Sequence, residues 1–404
     1  MKYLRFDPAD CEFPKPMVPL LAGLSRQSLK LKVSGPLGMP RSEADIRHFT
    51  RGRYALTQAY AQSGVGPQGA LLAPAYHCRT MLDPAIRLGA NLALYAVNSD
   101  LSPNIDSLAA CVNSAPTPAK ALLVPHYFGV AQNLAPLAAF CEQYGLALIE
   151  DCSHAFVGPG ENTPQKFGLM GKTGRFCVSS PYKFFPSQDG GLLWTNEATS
   201  PHGLKPAQAG LQREIKGLAQ ALQKTFASVS PLNIKGIKDE LSSLASTPVA
   251  IGRDIEEHTE SWSDHYALAE ENMQSLAASR WIFRHTDCTA LVNLRRQNYL
   301  AWLDGIAKLP FCQALFPKLS ADCVPYMFPL RLDHPEIHFY ALKLLGVPVW
   351  RWDDMAVSDC PVATKFRLNL LHLPCHQSLS AEQLAWMIAA VAQVLSQKTF
   401  GAPP

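Results

Sequence analysis

From residue 49 to about 200, short apolar runs alternate with stretches whose apolar positions recur every three or four residues. The runs Ala70-Leu-Leu-Ala-Pro, Leu92-Ala-Leu-Tyr-Ala-Val, Ala121-Leu-Leu-Val-Pro and Leu146-Ala-Leu-Ile-Glu-Asp carry no polar alternation. A strand covered on one face alternates, whereas a strand covered on both faces reads as continuous Leu, Ile, Val and Ala. Phe176-Cys-Val-Ser-Ser and Leu192-Leu-Trp-Thr continue the series. Between them, helical spacing starts at Arg51 and recurs over 81–88 and 133–144, with Asp106 placed to cap another helix. This alternation predicts an α/β fold, a mainly parallel central sheet with helices on both faces. Ligands of such sheets sit beyond the carboxyl ends of the strands.

The flanks read differently. Residues 1–48 hold prolines at 8, 14, 16, 19, 36 and 40 and little periodicity, so they form an N-terminal arm that leans on other parts for order. Residues 207–260 hold two helical stretches around Ser230, and long helical patterns follow through Ala267–Met273 and Arg295–Leu303. A smaller α+β domain then takes a strand at 325–332, a helix near 335–345, a strand Val347–Trp352 and a last amphipathic helix from 380 to about 396. The domains expected are the arm 1–48, a large domain 49–270 and a small C-terminal domain 271–404.

Composition narrows the function classes. Charged residues make up only 17% and hydrophobic residues 48%, which favours large buried or subunit-contact areas. The net charge of +3 and the lack of any Lys/Arg block argue against nucleic acid. No apolar stretch reaches membrane-spanning length, and the first residues lack a signal-peptide pattern. Eleven scattered cysteines without a Cys-x-x-Cys pair read as thiols of a reducing, cytoplasmic compartment. Glycine-rich nucleotide loops and metal-ligand spacings are absent from the sequence, so no metal is expected.

The candidate chemistry sits at two neighbouring strand ends, Asp151 and Lys183. An aldehyde cofactor needs a lysine to hold it covalently, and a carboxylate against a pyridine nitrogen keeps that ring protonated and electron-withdrawing. Ser179 and Ser180 can donate hydroxyls to a phosphate, and Gly190 and Gly191 allow a tight backbone path. Taken singly, a lysine after a strand is usually a solvated residue and an aspartate there a turn former. It is the combination that carries the signal.

That combination, Pro125-His-Tyr-Phe-Gly, Glu150-Asp-Cys-Ser-His, Ser179-Ser-Pro-Tyr-Lys and Asp189-Gly-Gly, resembles the DegT/DnrJ/StrS family of pyridoxal phosphate (PLP)-dependent sugar aminotransferases, which have the aspartate aminotransferase fold, fold type I. The resemblance covers roughly residues 49–200, with a second patch near the end. It implies Lys183 as the lysine that binds PLP, Asp151 at the pyridine nitrogen and His154 beside the ring. For the phosphate it implies Ser179 first and Ser180 second, because the spacing to the lysine is one residue shorter than the common pattern. The start of the first helix, Gly52 and Arg53, resembles the segment whose amides bind the phosphate, with Arg53 in place of a threonine. The usual ring-stacking aromatic position is Cys78, so Tyr76 or, by preference, His77 is expected to serve.

One departure follows after Thr195. The Gly-x-Asn-x-Arg segment whose asparagine reaches a partner subunit's phosphate is not found, and Asn233 is poorly placed to replace it. Near the end, Leu371–Leu379 resembles the Leu-Pro-x-His segment, with His376 read as a structural histidine in preference to one that approaches the active site. The implied function is a cytoplasmic homodimer that moves an amino group from an amino acid such as glutamate to a keto-sugar, with small-molecule donor and acceptor and no nucleic acid or membrane partner. Trp350, Arg351 and Trp352 read either as contacts for a phosphorylated or nucleotide-linked sugar or as a packed strand. The alternatives are a non-catalytic binding or regulatory descendant of the fold and a PLP enzyme of another reaction type.

Overall fold

A computed structural model describes residues 1–6, 13–24, 46–157, 170–197, 206–226, 232–246, 256–259 and 262–396. Prolines 8, 36 and 40 and Ser230 lie outside the described residues. After β1 (Tyr3–Arg5), the central sheet is built from β2 (Arg47–Phe49), β3 (Ala70–Pro74), β4 (Leu92–Tyr95), β5 (Ala119–Pro125), β6 (Ala147–Cys152), β7 (Phe176–Ser179) and β8 (Gly191–Thr195). Their spatial order is β2-β8-β7-β6-β5-β3-β4. From β4 to β7 every pairing is parallel, and β8 and β2 close one edge antiparallel. The unbroken apolar runs therefore belong to strands covered on both faces: β3, β6, β7 and β8 are buried at every residue.

Helices α1 (Gly52–Gln62), α2 (Arg79–Arg87), α3 (Ile105–Ser114) and α4 (Ala135–Tyr144) connect these strands. The cap of α3 is Asn104, whose side chain accepts from Ser107 N, and Asp106 instead lies in the first turn. Asn104 stands three residues before Ser107, the spacing an N-cap oxygen requires, and Asp106 is already inside the helix. α4 stops at Gly145, which adopts a left-handed φ of 64° and turns the chain into β6.

The remaining elements are α5 (Leu211–Phe226), α6 (Ile237–Ser246), β9 (Glu256–His258), α7 (Ala277–His285), α8 (Cys288–Ile306), β10 (Cys312–Ala314), β11 (Met327–Leu332), α9 (Pro335–Leu344), β12 (Met355–Ala356), α10 (Pro361–Asn369), β13 (Leu370–Pro374) and α11 (Ala381–Leu395). β10, β11 and β13 form an antiparallel sheet beneath a second core that includes Trp302, Phe328, Leu371, Met387 and Val391. Ile237 and Leu241 of α6 and Val18 of the arm join this core. α11 opens with a full capping box, Ser380 with Gln383. The arm is also tied in by β1, which lies between β12 and β9.

Two expected elements are absent among the described residues. Ala267–Met273 makes a single 3-10 turn at Leu268–Glu270, because Ala207 and Gln274 bond across it in place of a helical ladder. Val347–Trp352 is not a strand: only Trp350 pairs, with His372, while Val347 and Val349 turn into the second core. The apolar alternation there reports burial of a loop on a cavity wall.

Candidate active site

β6 and β7 run parallel with Asp151 opposite Val178 and Cys152 opposite Ser179, so Asp151 and the start of the lysine turn emerge at the same end of the sheet. Asp151 is 2% exposed, and its Oδ1 accepts from Ser153 N at 2.8 Å, which orients the carboxylate. Pro181 opens the single turn Pro181–Lys183, its fixed φ suiting a first helical position, and Lys183 N donates to Ser180 O at 3.0 Å. The Lys183 ammonium stands 5.4 Å from the centre of the Tyr326 ring. Cys78 reports how closely the two groups gather: burial pushes its thiol up, the Lys183 cation opposes that, and the Asp151 carboxylate adds to it.

Beside them lies a cradle. A Cβ on Gly52 would collide with Ser180 Oγ and stand 3.2 Å from Ser153 Oγ and 3.6 Å from Ser179 O. Ser180 and Ser153 share a 3.0 Å hydroxyl hydrogen bond. No side chain caps α1 at Arg51, so the first amides of the helix face this space with the positive end of its dipole. Hydroxyls, free amides and a missing side chain together fit a phosphate. Ser180 and Ser153 bring hydroxyls to Gly52; Ser179, the first choice from sequence, contributes its backbone carbonyl there.

A cavity of about 470 Å³ opens over the lysine, and Arg53, Cys78, His154, Tyr326, Trp352 and His372 are among its walls. The His154 ring lies 4.4 Å from that of Tyr326 at 33° and 5.5 Å from that of Trp352 at 39°. Burial, with help from the Lys183 cation and His372, holds its pKa well below the ordinary value, so the imidazole is neutral. Its Nδ1 has no hydrogen-bond partner. His372 is lowered to about 3 by burial and then by Lys183, and its Nε2 lies 3.1 Å from the Tyr76 hydroxyl. Phe128 packs on both histidines, at 5.8 Å from His154 and 4.7 Å from His372. It does so from φ 57°, a left-handed conformation that costs a non-glycine residue about 1 kcal/mol.

Tyr76 and His77 do not reach this cavity, and Cys78 stands on its wall instead. Both are fully buried. The His77 ring is committed to the backbone, Nε2 accepting from Ala356 N at 3.3 Å and Nδ1 3.2 Å from Cys78 O. The Tyr76 ring packs 4.8 Å from Trp352, behind the wall. His376 also stays away from the cavity, held between Pro19 O and the Ser378 hydroxyl at 2.9 Å each. Asn233 is exposed and bonds Gly236 N within its own turn.

Trp350, Arg351 and Trp352 all line the cavity. Trp350 is 51% exposed, and the Arg351 guanidinium lies 3.7 Å over the Phe339 ring. Sequence reasoning missed Ser153, Tyr326 and His372. Ser153 and His372 each stand within a segment already singled out, Glu-Asp-Cys-Ser-His and Leu-His-Leu-Pro, whereas Tyr326 reaches the lysine only through the folding of a distant strand.

His126, Glu150 and Cys152 also cluster closely enough to suggest a cation site. The hydrogen bonds argue for a structural anchor instead. Gln132 N donates to His126 Nδ1, which leaves the ring proton on Nε2 pointing at Glu150 Oε1, 2.8 Å away. Backbone amides of Gly171, Thr173 and Gly174 occupy the same carboxylate.

Residues 48–217 match the sequence profile of the DegT/DnrJ/EryC1/StrS aminotransferase family. The chain is 32% identical over 149 residues to the L-glutamine:2-deoxy-scyllo-inosose aminotransferase of Streptoalloteichus tenebrarius, covering 36% of this chain and 34% of that one. It is 29% identical over 192 residues to the pleiotropic regulatory protein of Geobacillus stearothermophilus, covering 41% and 48%. The match thus spans less than half the length of either curated relative. The fold resembles that of the aminotransferase TlmJ from Streptoalloteichus hindustanus, with a TM-score of 0.58 at 20% identity over 87% of this chain and 86% of that one. Residues 48–217, a stretch under half of the chain that carries both Asp151 and Lys183, thus match the DegT/DnrJ/EryC1/StrS aminotransferase family, and the fold is the type I α/β scaffold of solved aminotransferases.

Proposed function

We propose that the protein is a PLP-dependent aminotransferase that moves an amino group from an amino acid such as glutamate to a keto-sugar. The observation that carries this reading is the emergence of Asp151 and Lys183 from adjacent parallel strands beside the Gly52, Ser153 and Ser180 cradle. When bound, pyridoxal phosphate supplies an aldehyde and a protonated ring that withdraws electrons from the donor's α-carbon.

The chain's residues divide the remaining work. Gly52, Arg53, Ser153 and Ser180 would hold the phosphate at the start of α1, while Ser179 presents only its carbonyl there. The Asp151 carboxylate would keep a pyridine nitrogen protonated, an opposite charge favouring the protonated form. Lys183 would hold the aldehyde through its Nζ, and that amine, when free, would accept the proton from the donor's α-carbon. His154, neutral and aromatic-packed, offers a flat wall for the ring. Trp350 and Trp352 would offer stacking to the acceptor, and Arg351, paired with Asp353 at 3.7 Å, would present a cation from the same wall.

A homodimer fits the exposed apolar side chains Trp281, Leu294 and Leu300 on α7 and α8, and light scattering that finds a monomer would reject it. The ten described cysteines are all free, which suits a reducing cytoplasm. Among the described residues no helix is long and apolar enough to cross a membrane. A binding or regulatory role is the second reading, favoured by the relative named as a regulatory protein and by Cys78 at the expected ring-stacking position. One experiment separates the two: the PLP-loaded protein is mixed with candidate amino acids and its absorption followed. Conversion of the bound cofactor to its amine form by one donor supports amino transfer, and no conversion by any donor supports binding alone.

A further inference from the structure

Arg295 on α8 is fully buried, and no carboxylate is among its hydrogen-bond partners. Its Nε donates to Gln377 Oε1 at 2.8 Å. One terminal nitrogen donates to Pro325 O and Tyr326 O at 3.2 and 3.0 Å, the other to Lys183 O and Phe184 O at 3.1 and 3.4 Å. Gln377 completes the knot by donating to Phe184 O at 2.8 Å. The guanidinium carbon also stacks 4.6 Å from the Phe184 ring.

A buried cation held only by neutral oxygens is costly, and an apolar side chain would fill the same space without that penalty. What the cation secures is specific. One fork grips the backbone of the lysine and, on its other side, the backbone of Tyr326, whose ring faces the lysine ammonium. The planar guanidinium has five donors in fixed directions, so it sets the relative placement of the two segments as a flexible ammonium would not. The neighbouring Asn298, three residues along α8, donates to Cys375 O and His376 O rather than to either segment. It supplies a built-in control.

We infer that Arg295 is a positioning residue for Lys183, locking the lysine turn and the Tyr326 wall into one geometry across 112 residues of chain. The inference rests on the aminotransferase reading for its kinetic consequence, while the lock itself is independent of turnover. The test compares PLP-loaded wild type, Arg295→Lys, Arg295→Gln and Asn298→Ala. Amide hydrogen exchange over residues 181–187 is read together with the pH dependence of the bound cofactor's absorption and the donor half-reaction.

Both Arg295 variants are expected to speed exchange in that segment and shift the spectral pH profile. The half-reaction rate should drop about tenfold to a hundredfold with little change in donor KM, the scale of a small misplacement. Asn298→Ala is expected to lower the melting temperature and leave exchange, spectrum and rate as in wild type. Should Arg295→Gln fail to fold, Arg295→Lys decides. Wild-type exchange and spectrum in the folded Arg295 variants, or the same changes in Asn298→Ala, would overturn the inference. If no donor converts the cofactor in any protein but exchange still separates the Arg295 variants from the control, the lock stands and the aminotransferase reading falls.

Discussion

His126 donates from Nε2 to Glu150 at 2.8 Å, on the face of β6 opposite to Asp151. Successive strand residues point to opposite sides, so the Glu-Asp pair splits two tasks between neighbouring carboxylates. Glu150 gathers His126 and the 171–174 turn, and Asp151 points to the other side of β6, where its Oδ1 accepts from Ser153 N. Burial pushes the Glu150 pKa up, yet the bonds from His126, Gly174 and Gly171 outweigh it and bring it to about 2. Glu150→Ala should therefore destabilise the fold by about 3–5 kcal/mol, because the His126 Nε2–H and the amides of Gly171, Thr173 and Gly174 all lose their buried acceptor. Chemical denaturation of the two proteins measures it, and a loss under about 1 kcal/mol would contradict the anchor.

The cradle predicts a different phenotype for Gly52→Ala. Alanine favours helix over glycine, so α1 should form as well or better. The added Cβ, however, meets Ser180 Oγ and takes the space proposed for phosphate. Cofactor affinity should drop about tenfold or more, the loss of one charge-assisted hydrogen bond, with melting of the cofactor-free protein unchanged. Full cofactor content in the purified variant would refute the cradle.

Acid should unfold the protein early. His77 is lowered to about 4, His372 and His376 to about 3, and His154 also lies well below 6.5, in each case chiefly by burial. Folded values below the unfolded one mean that the stability is complete above pH 6.5 and falls as pH drops toward 4, because only the unfolded chain takes up the protons. Each histidine contributes a slope of up to about 1.4 kcal/mol per pH unit. Below pH 4.5 Glu150 adds to the loss in the same direction. Melting curves at pH 7.5, 6.0 and 5.0 should show a steepening decline, and a flat profile would contradict neutral burial of these rings.

Trp350→Ala probes the acceptor wall. The side chain is half exposed, so stability should stay within about 0.5 kcal/mol. If a sugar-linked ring stacks there, loss of about 1 kcal/mol raises the acceptor KM roughly fivefold without changing the donor half-reaction. Equal effects on both half-reactions would place Trp350 outside acceptor binding.

The parts of the site legible in the sequence are those made by local chain. Asp151 and Lys183 close apolar strands, and a strand end in a parallel sheet is where side chains meet a ligand. The helix proposed to meet the phosphate is legible for the same reason, as a glycine directly before helical spacing. What the sequence hid is set by distant pairing. Nothing near Ser153 announces that Ser180 will meet it, and Arg295 reads as one of many helix arginines until the lysine carbonyl arrives from 112 residues away. His77 misled because a histidine one residue from the expected position has the right chemistry, while Ala356 N of β12 had already claimed its ring. Val347–Trp352 misled because apolar alternation looks the same in a strand and in a loop lying on a core.

The most direct measurement is reduction of the purified, PLP-loaded protein with borohydride, followed by proteolysis and mass spectrometry. The account predicts a phosphopyridoxyl group on the peptide containing Lys183, and none after Lys183→Ala. An adduct on another lysine, or none in a protein that still binds PLP, would contradict the assignment of Lys183 and with it the proposed reaction.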